Sequence, residues 1–81
     1  MLFESDAIPV GSTVKLNKAI ACIPIDSDLT FHLAKDDMGI ISHRQQKSDF
    51  YEYRVYMYRT RVFVEIVHDD LEIVKRYNRS S

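Results

Sequence analysis

The alternation over residues 51–67, "YEYRVYMYRTRVFVEIV", constrains the fold more than any other feature of the chain. Successive side chains of a β-strand point to opposite faces of its sheet, so apolar residues at every second position indicate half-buried strands. We therefore predict one strand over residues 50–58 and another over residues 62–67, joined by a short connection that contains no glycine. The predicted inward side chains are Tyr53, Val55, Met57, Val62, Val64 and Ile66, and the outward ones are Glu52, Arg54, Tyr56, Tyr58 and Phe63.

Two further strands are predicted earlier in the chain. In "STVKLNK", residues 12–18, Val14 and Leu16 point one way and polar residues the other, and "MGIISHR", residues 38–44, forms the second strand. Residues 18–37 are expected to form a long, partly hairpin-like excursion, because Pro24 is unsuited to a central strand and "DSD" favours a turn. Gly39 is expected to supply a backbone conformation that a Cβ atom would penalise.

The ends of the chain are expected to differ from this sheet. Residues 1–10 are predicted to form a loosely packed arm, residues 11–75 the barrel and residues 76–81 a flexible tail. Asp69 or Asp70 is suited to cap one helical turn, after which Leu71, Ile73 and Val74 are expected to return to the core. Several short strands and one long loop predict an all-β fold, a small barrel of about five short antiparallel strands.

Composition limits the class of protein. A chain of 81 residues is expected to form one domain, and its net charge of −1 gives no overall bias toward nucleic acid or acidic membranes. Cys22 is the only cysteine, which excludes an internal disulfide and is compatible with a reducing cytosol, so we expect a cytoplasmic protein. No apolar run reaches the roughly 18 residues of a transmembrane helix, and the N-terminus does not resemble a signal peptide.

The order of these segments resembles the SH3-like small-barrel proteins. The residues that carry the resemblance are "VGSTVKL", a long loop, "KDDMGIIS", "YEYRVYMY", "RVFVEIV" and the closing "HDDLEIV". Similar variants are the ferredoxin–thioredoxin reductase variable chain, the photosystem I subunit of SH3 fold and KOW-type barrels. The resemblance covers core positions of residues 10–74 and carries no functional residue. It implies a barrel that docks to a protein or a nucleic acid without catalysing a reaction.

Residues suited to catalysis or metal binding form no recognised motif. His32, His43 and His68 are far apart in the sequence, and His68, Asp69 and Asp70 form at most a weak cation site because adjacent residues rarely converge on one ion. Cys22 lies in the apolar stretch "IACIPI", where a thiol behaves as a small hydrophobic group. The chain has neither a glycine-rich phosphate loop nor a nucleophile–base pair, so we expect no enzyme activity, no cofactor and no metal.

The tyrosines and arginines around residue 56 leave three interpretations open. They are the ordinary outer face of a sheet, a surface for a protein partner, or a surface for nucleic acid, since tyrosine and arginine are common in both kinds of interface. We expect a protein partner, with nucleic acid as the alternative, and a homodimer through an uncovered strand is a further option. The predicted contact residues are Arg54, Tyr56, Tyr58, Arg59 and Arg61, with Phe31 and His32 of the long loop as a second rim.

Overall fold

The computed structural model describes residues 7–78 and has an all-β architecture. Within these residues, seven strands and one 3₁₀ turn, His68–Asp70, follow one another. The strands are β1 (Thr13–Leu16), β2 (Ile20–Cys22), β3 (Phe31–Leu33), β4 (Met38–Gln46), β5 (Tyr51–Met57), β6 (Val62–Val67) and β7 (Leu71–Lys75). The predicted all-β fold is confirmed, and the long excursion contains a β2–β3 hairpin, as expected.

The strands form two antiparallel sheets. The larger sheet has the order β6-β5-β4-β1-β7, and β2 and β3 form the smaller one. Strand β4 is long enough to pair with β1 near its start and with β5 along most of its length. Its register with β5 shifts between Ile41 and His43, a β-bulge that bends the strand and increases its twist. Together these features give a small, compact, barrel-like fold.

The core lies on the inner side of the larger sheet, as the alternation predicts. Val55 and Val64 are fully buried opposite each other, and Leu16 and Tyr53 are equally inaccessible. The buried apolar residues are Ala7, Ile8, Val14, Leu16, Leu33, Ile41, Tyr51, Tyr53, Val55, Met57, Val64, Ile66 and Leu71. Val62, predicted to be inside, is only partly buried and packs against this cluster.

The last strand is less buried than the sequence indicates. Leu71 joins the core, whereas Ile73 and Val74 are 39% and 48% exposed. Strand β7 lies at an edge of the sheet, and its pairing with β1 shifts register beside Val14. An edge strand with a bulge has neighbours on one side only, which explains why its apolar side chains remain accessible. The expected return of Ile73 and Val74 to the core is therefore wrong.

The end of the predicted N-terminal arm packs tightly where it is described. Ala7 and Ile8 are 3% and 2% exposed, and the backbone amide of Ile8 donates a hydrogen bond to the Tyr53 hydroxyl at 2.9 Å. The rest of that arm, residues 1–6, lies outside the described residues, as do residues 79–81 of the predicted flexible tail. At the start of the tail, the Tyr77 amide donates a hydrogen bond to Ser12 Oγ at 2.9 Å.

Both glycines occupy positions where a side chain would be harmful. Gly11 has a φ of +96°, a conformation that favours glycine. Gly39 is different, because a Cβ atom there would collide with the carbonyl oxygen of Tyr56 and lie 2.8 Å from a methyl group of Val55. The expected penalty at Gly39 thus arises from the close approach of β4 and β5. It does not come from an unusual backbone conformation.

Candidate functional site

The predicted contact residues of β5 lie on the solvent side of the larger sheet. Cross-strand pairing arranges this surface in three rows, each with one residue from β4, β5 and β6. We call it the outer face, and its rows are Ile40–Tyr56–Phe63, His43–Arg54–Glu65 and Gln45–Glu52–Val67. The first row is apolar, the second carries charge and the third is mixed, so the outer face presents different chemistry along the strands.

Aromatic rings cover one end of the outer face. Tyr56 and Phe63 are direct cross-strand partners with ring centroids 5.0 Å apart, and the Tyr58 ring meets Tyr56 edge-on at 6.4 Å. Such contacts stabilise a sheet, yet Tyr58 and Phe63 remain 46% and 42% exposed. The backbone amide of Ile25 donates to the Phe63 carbonyl oxygen at 2.9 Å, so the long excursion reaches this edge. The cluster therefore combines rigid packing with accessible apolar area.

Arg54 lies in the middle of the outer face, next to these rings. It is partly buried, and its Nε atom is inaccessible to solvent and has no hydrogen-bond acceptor among residues 7–78. Glu65 is its cross-strand partner, but the two side chains form no ion pair. Arg54 lines a small cleft of about 130 Å³ together with His43, Arg44, Gln45, Glu52 and Glu65.

Arg59 has a structural partner. Its Nε and Nη2 atoms donate to the Asp37 carboxylate at distances between 2.7 and 3.2 Å, which ties the β5–β6 connection to the turn before β4. These hydrogen bonds lower the pKa of Asp37 and raise that of Arg59. Asp37 Oδ2 also accepts from the Ala34 amide at 2.9 Å. The guanidinium of Arg59 is therefore already engaged with an acid of the same chain.

Arg61 ends the turn that joins β5 to β6. Its backbone amide donates to the Met57 carbonyl oxygen at 2.9 Å, which closes a turn over residues 58–61. Its φ is +58°, in the left-handed region that non-glycine residues seldom occupy. This conformation allows a short connection without glycine, and it leaves the Arg61 side chain exposed beside the aromatic end of the outer face.

The second predicted rim is only partly assembled. His32 is exposed, and its carbonyl oxygen accepts a hydrogen bond from Arg59 Nη2 at 3.4 Å, so it lies near the β5–β6 turn. Phe31 pairs with Cys22 in the small hairpin and is partly buried. The structure thus brings Arg54, Tyr56 and Tyr58 together, places the turn residues at their end, and leaves Phe31 partly buried in the small hairpin.

Groups with chemical reactivity are dispersed over the described part of the chain. No group of three histidine, cysteine, aspartate or glutamate side chains within residues 7–78 is arranged to hold a metal ion. His68 Nδ1 lies 2.8 Å from the Tyr53 hydroxyl, which gives this ring a role in the core. Cys22 is partly buried, and burial raises the pKa of its thiol. No helix in this part of the chain is long and apolar enough to cross a membrane.

Several residues of the outer face are not among the predicted contact residues. Ile40, His43 and Glu65 complete the rows of Tyr56 and Arg54, although they are distant in sequence. The alternation of β6 predicts that Glu65 points outward. The residue opposite Glu65 depends on the register of β5 and β6, which the four-residue turn sets. His43 depends on the bulge in β4, which no sequence signal marks.

Comparisons with protein-family models, with curated proteins and with solved structures found no significant match.

Proposed function

We propose that this protein is a non-enzymatic, cytoplasmic binding module of SH3-like type that docks to a protein partner as an accessory or regulatory subunit. The contact surface is the outer face together with Tyr58 and Arg61. The resemblance to SH3-like barrels is supported by the long excursion between β1 and β4 and by the 3₁₀ turn that precedes the closing strand. The observation that carries the proposal is the exposed aromatic cluster of Tyr56, Tyr58 and Phe63.

Two physical properties of this cluster suit it to protein binding. The Tyr56 ring packs against the rings of both Phe63 and Tyr58, and Tyr56 and Phe63 lie on paired strands, so little side-chain entropy is lost when a partner covers them. Tyrosine and arginine are enriched in the buried centres of interfaces, where they provide a large contact area together with polar groups. Arg54 and Arg61 supply such polar groups at either side of the aromatic cluster.

Charge on the same surface favours a protein over a nucleic acid. Glu52 and Glu65 share the outer face with Arg54, and Arg59 is already paired with Asp37. A nucleic-acid backbone presents a phosphate at each nucleotide, and its binding requires several uncompensated cations. The alternating charges of the outer face suit a protein surface with both signs better than a uniform polyanion.

An affinity capture experiment tests this proposal. The wild-type protein and the double variant Tyr56→Ala/Tyr58→Ala are immobilised and exposed to extract of the native host, and retained proteins are identified by mass spectrometry. We expect a protein retained by the wild type to be lost from the double variant. Tyr77→Ala is the matched control, because Tyr77 is a tyrosine of similar exposure, 48%, at the other edge of the larger sheet.

The same experiment contains the result that would contradict the proposal. Capture that persists in the double variant and is lost in Tyr77→Ala would place the contact elsewhere. Circular dichroism of each variant separates loss of contact from loss of fold. A gel retardation assay with single-stranded oligonucleotides at low and high salt examines the nucleic-acid alternative, which requires a steep loss of affinity as salt rises.

A further inference from the structure

We propose that the cleft beside Arg54 receives the carboxylate of an acidic residue in an extended segment of the partner. Two residues later, the same segment carries an apolar side chain that packs on Tyr56 and Phe63. This inference rests on the proposed function, because it takes the outer face as the docking surface. It adds the chemistry of the bound segment: an acid, any residue, then an aromatic or aliphatic residue.

The first supporting observation is the unsatisfied Nε atom of Arg54. This N–H group is shielded from solvent and has no acceptor within residues 7–78, although the guanidinium is permanently charged. Buried polar groups in folded proteins almost always have a hydrogen-bond partner, so this guanidinium lacks one hydrogen bond that an acceptor in the adjoining cleft is suited to supply. A carboxylate is the acceptor whose charge and planar shape best match a guanidinium.

The second observation is the shape and charge of the surrounding cleft. Its volume of about 130 Å³ is several times the roughly 30 Å³ that one water molecule occupies in the liquid, so a carboxyl group fits. His43 and Arg44 line it together with Arg54, and the Arg44 guanidinium also lies over the Tyr51 ring, 5.9 Å from its centre. Of its two acids, Glu52 is paired with Lys47 at 3.6 Å, which reduces the repulsion that an entering carboxylate meets.

The third observation is the distance from this cleft to the aromatic cluster. Arg54 and Tyr56 are two residues apart on one strand, so their side chains leave the same face about 6.4–6.8 Å apart. An extended peptide has the same repeat between alternate side chains. A segment that runs parallel to β5 with its acid in the cleft therefore places its second following side chain over Tyr56 and Phe63, whose rings are 5.0 Å apart.

The acids on this surface also limit the ligand. Glu65 borders the same cleft and forms no ion pair within the described residues, so a second anionic group close to the first would meet its negative charge. One carboxylate followed by apolar contact avoids this repulsion, whereas consecutive phosphates do not. The surface therefore favours an isolated acid in a peptide over a nucleic acid.

Nuclear magnetic resonance titration with short peptides tests the inference directly. The probe is the acetylated and amidated tripeptide Asp-Gly-Phe, and its matched control is Asn-Gly-Phe, which has the same shape without the charge. We expect the acidic peptide to shift the Nε–Hε signal of Arg54 and the ring signals of Tyr56 and Phe63. At low salt, we expect it to bind about 3-fold more tightly than the control, the scale of one partly exposed ion pair.

Variants and a second ligand complete the experiment. Arg54→Gln should abolish the difference between the two peptides, and Arg54→Lys should restore part of it. Equal binding of both peptides to the wild type would overturn the inference without using any variant. Stronger binding of an oligothymidylate than of the acidic peptide, with the same signals shifted, would overturn it in favour of nucleic acid.

The two proposals fail in different ways. If Arg54→Gln retains a partner that the Tyr56→Ala/Tyr58→Ala variant loses, the docking surface is correct and the carboxylate contact is wrong. If the double variant retains the partner as well, the outer face is not the docking surface and the proposed function itself fails.

Discussion

The hydroxyl of the fully buried Tyr53 accepts a hydrogen bond from the backbone amide of Ile8, 45 residues earlier, at 2.9 Å. The same hydroxyl lies 2.8 Å from His68 Nδ1, and all three groups are satisfied when the tyrosine donates to that nitrogen. Burial raises the pKa of the Tyr53 phenol, so the hydroxyl keeps its proton at neutral pH. One side chain of β5 thus connects the N-terminal segment to the 3₁₀ turn.

Replacing this hydroxyl is expected to destabilise the protein. Tyr53→Phe leaves the Ile8 amide and the His68 ring without their partner, and an unsatisfied buried polar group costs about 1–3 kcal/mol. The free energy of unfolding in urea measures the effect. Tyr56→Phe is the matched control, because that ring is on the outer face and its hydroxyl forms no hydrogen bond within residues 7–78; we expect a change below about 0.5 kcal/mol. Equal stability of the two variants would contradict this account.

The ion pair between Asp37 and Arg59 is expected to make stability depend on pH in acid. Hydrogen bonds from Arg59 hold the pKa of Asp37 in the folded protein below the ordinary value for an aspartate. In the unfolded chain, Asp37 is expected to have that ordinary pKa. The stabilisation is therefore present above that ordinary pKa and is lost as the pH falls through the lower pKa of the folded state. Urea unfolding at a series of acidic pH values should show that the free energy of unfolding falls more steeply with decreasing pH for the wild type than for Asp37→Asn. Arg59→Gln should reduce the steepness similarly, and an unchanged slope in both variants would disprove the assignment.

Adding a methyl group at Gly39 is expected to disturb the pairing of β4 with β5. The Cβ atom of Gly39→Ala would collide with backbone of β5, which is unable to move without breaking the ladder. We expect a loss of about 1–3 kcal/mol, the range for overpacking, measured by thermal or urea unfolding. Gln45→Ala on the same strand, at an exposed position, should stay within about 0.5 kcal/mol of the wild type. A Gly39→Ala variant as stable as the wild type would mean that β4 and β5 do not approach each other this closely at Gly39.

The left-handed conformation of Arg61 predicts which substitutions the turn accepts. Asparagine adopts positive φ readily, whereas a β-branched side chain does not. Arg61→Asn should therefore be more stable than Arg61→Val by about 1–2 kcal/mol in urea unfolding. The Asn variant also removes the charge with the turn intact, which makes it suitable for binding experiments. Val and Asn variants of equal stability would argue against the positive φ.

Alternation made the main sheet predictable from the sequence. Tyr53, Val55 and Val64 are all fully buried as expected, because side-chain direction on a strand depends only on local parity. The alternation predicts burial less well on an edge strand, because an inward-facing side chain there can still lack neighbours. Ile73 is such a residue, and its exposure follows from the position of β7 in the sheet order.

The candidate site was predictable in part. The outward direction of Arg54 and Tyr56 follows from the alternation, but the ion pair of Arg59 does not, because nothing in the sequence selects Asp37 among several acids of the long excursion. Equally, the unsatisfied Nε atom of Arg54 depends on the packing of three strands. Contacts of this kind require the three-dimensional arrangement.

The pairing of β1 with β7 has a consequence for the order of folding. Thr13 is opposite Lys75, and Val14 is opposite Ile73, so one side of the first strand has no partner until β7 joins it. The β2–β3 hairpin and the β4–β5–β6 meander can form earlier, since their strands are adjacent in sequence. Addition of β7 is therefore expected to be a late step of folding, because it joins the two strands that are most distant in the sequence.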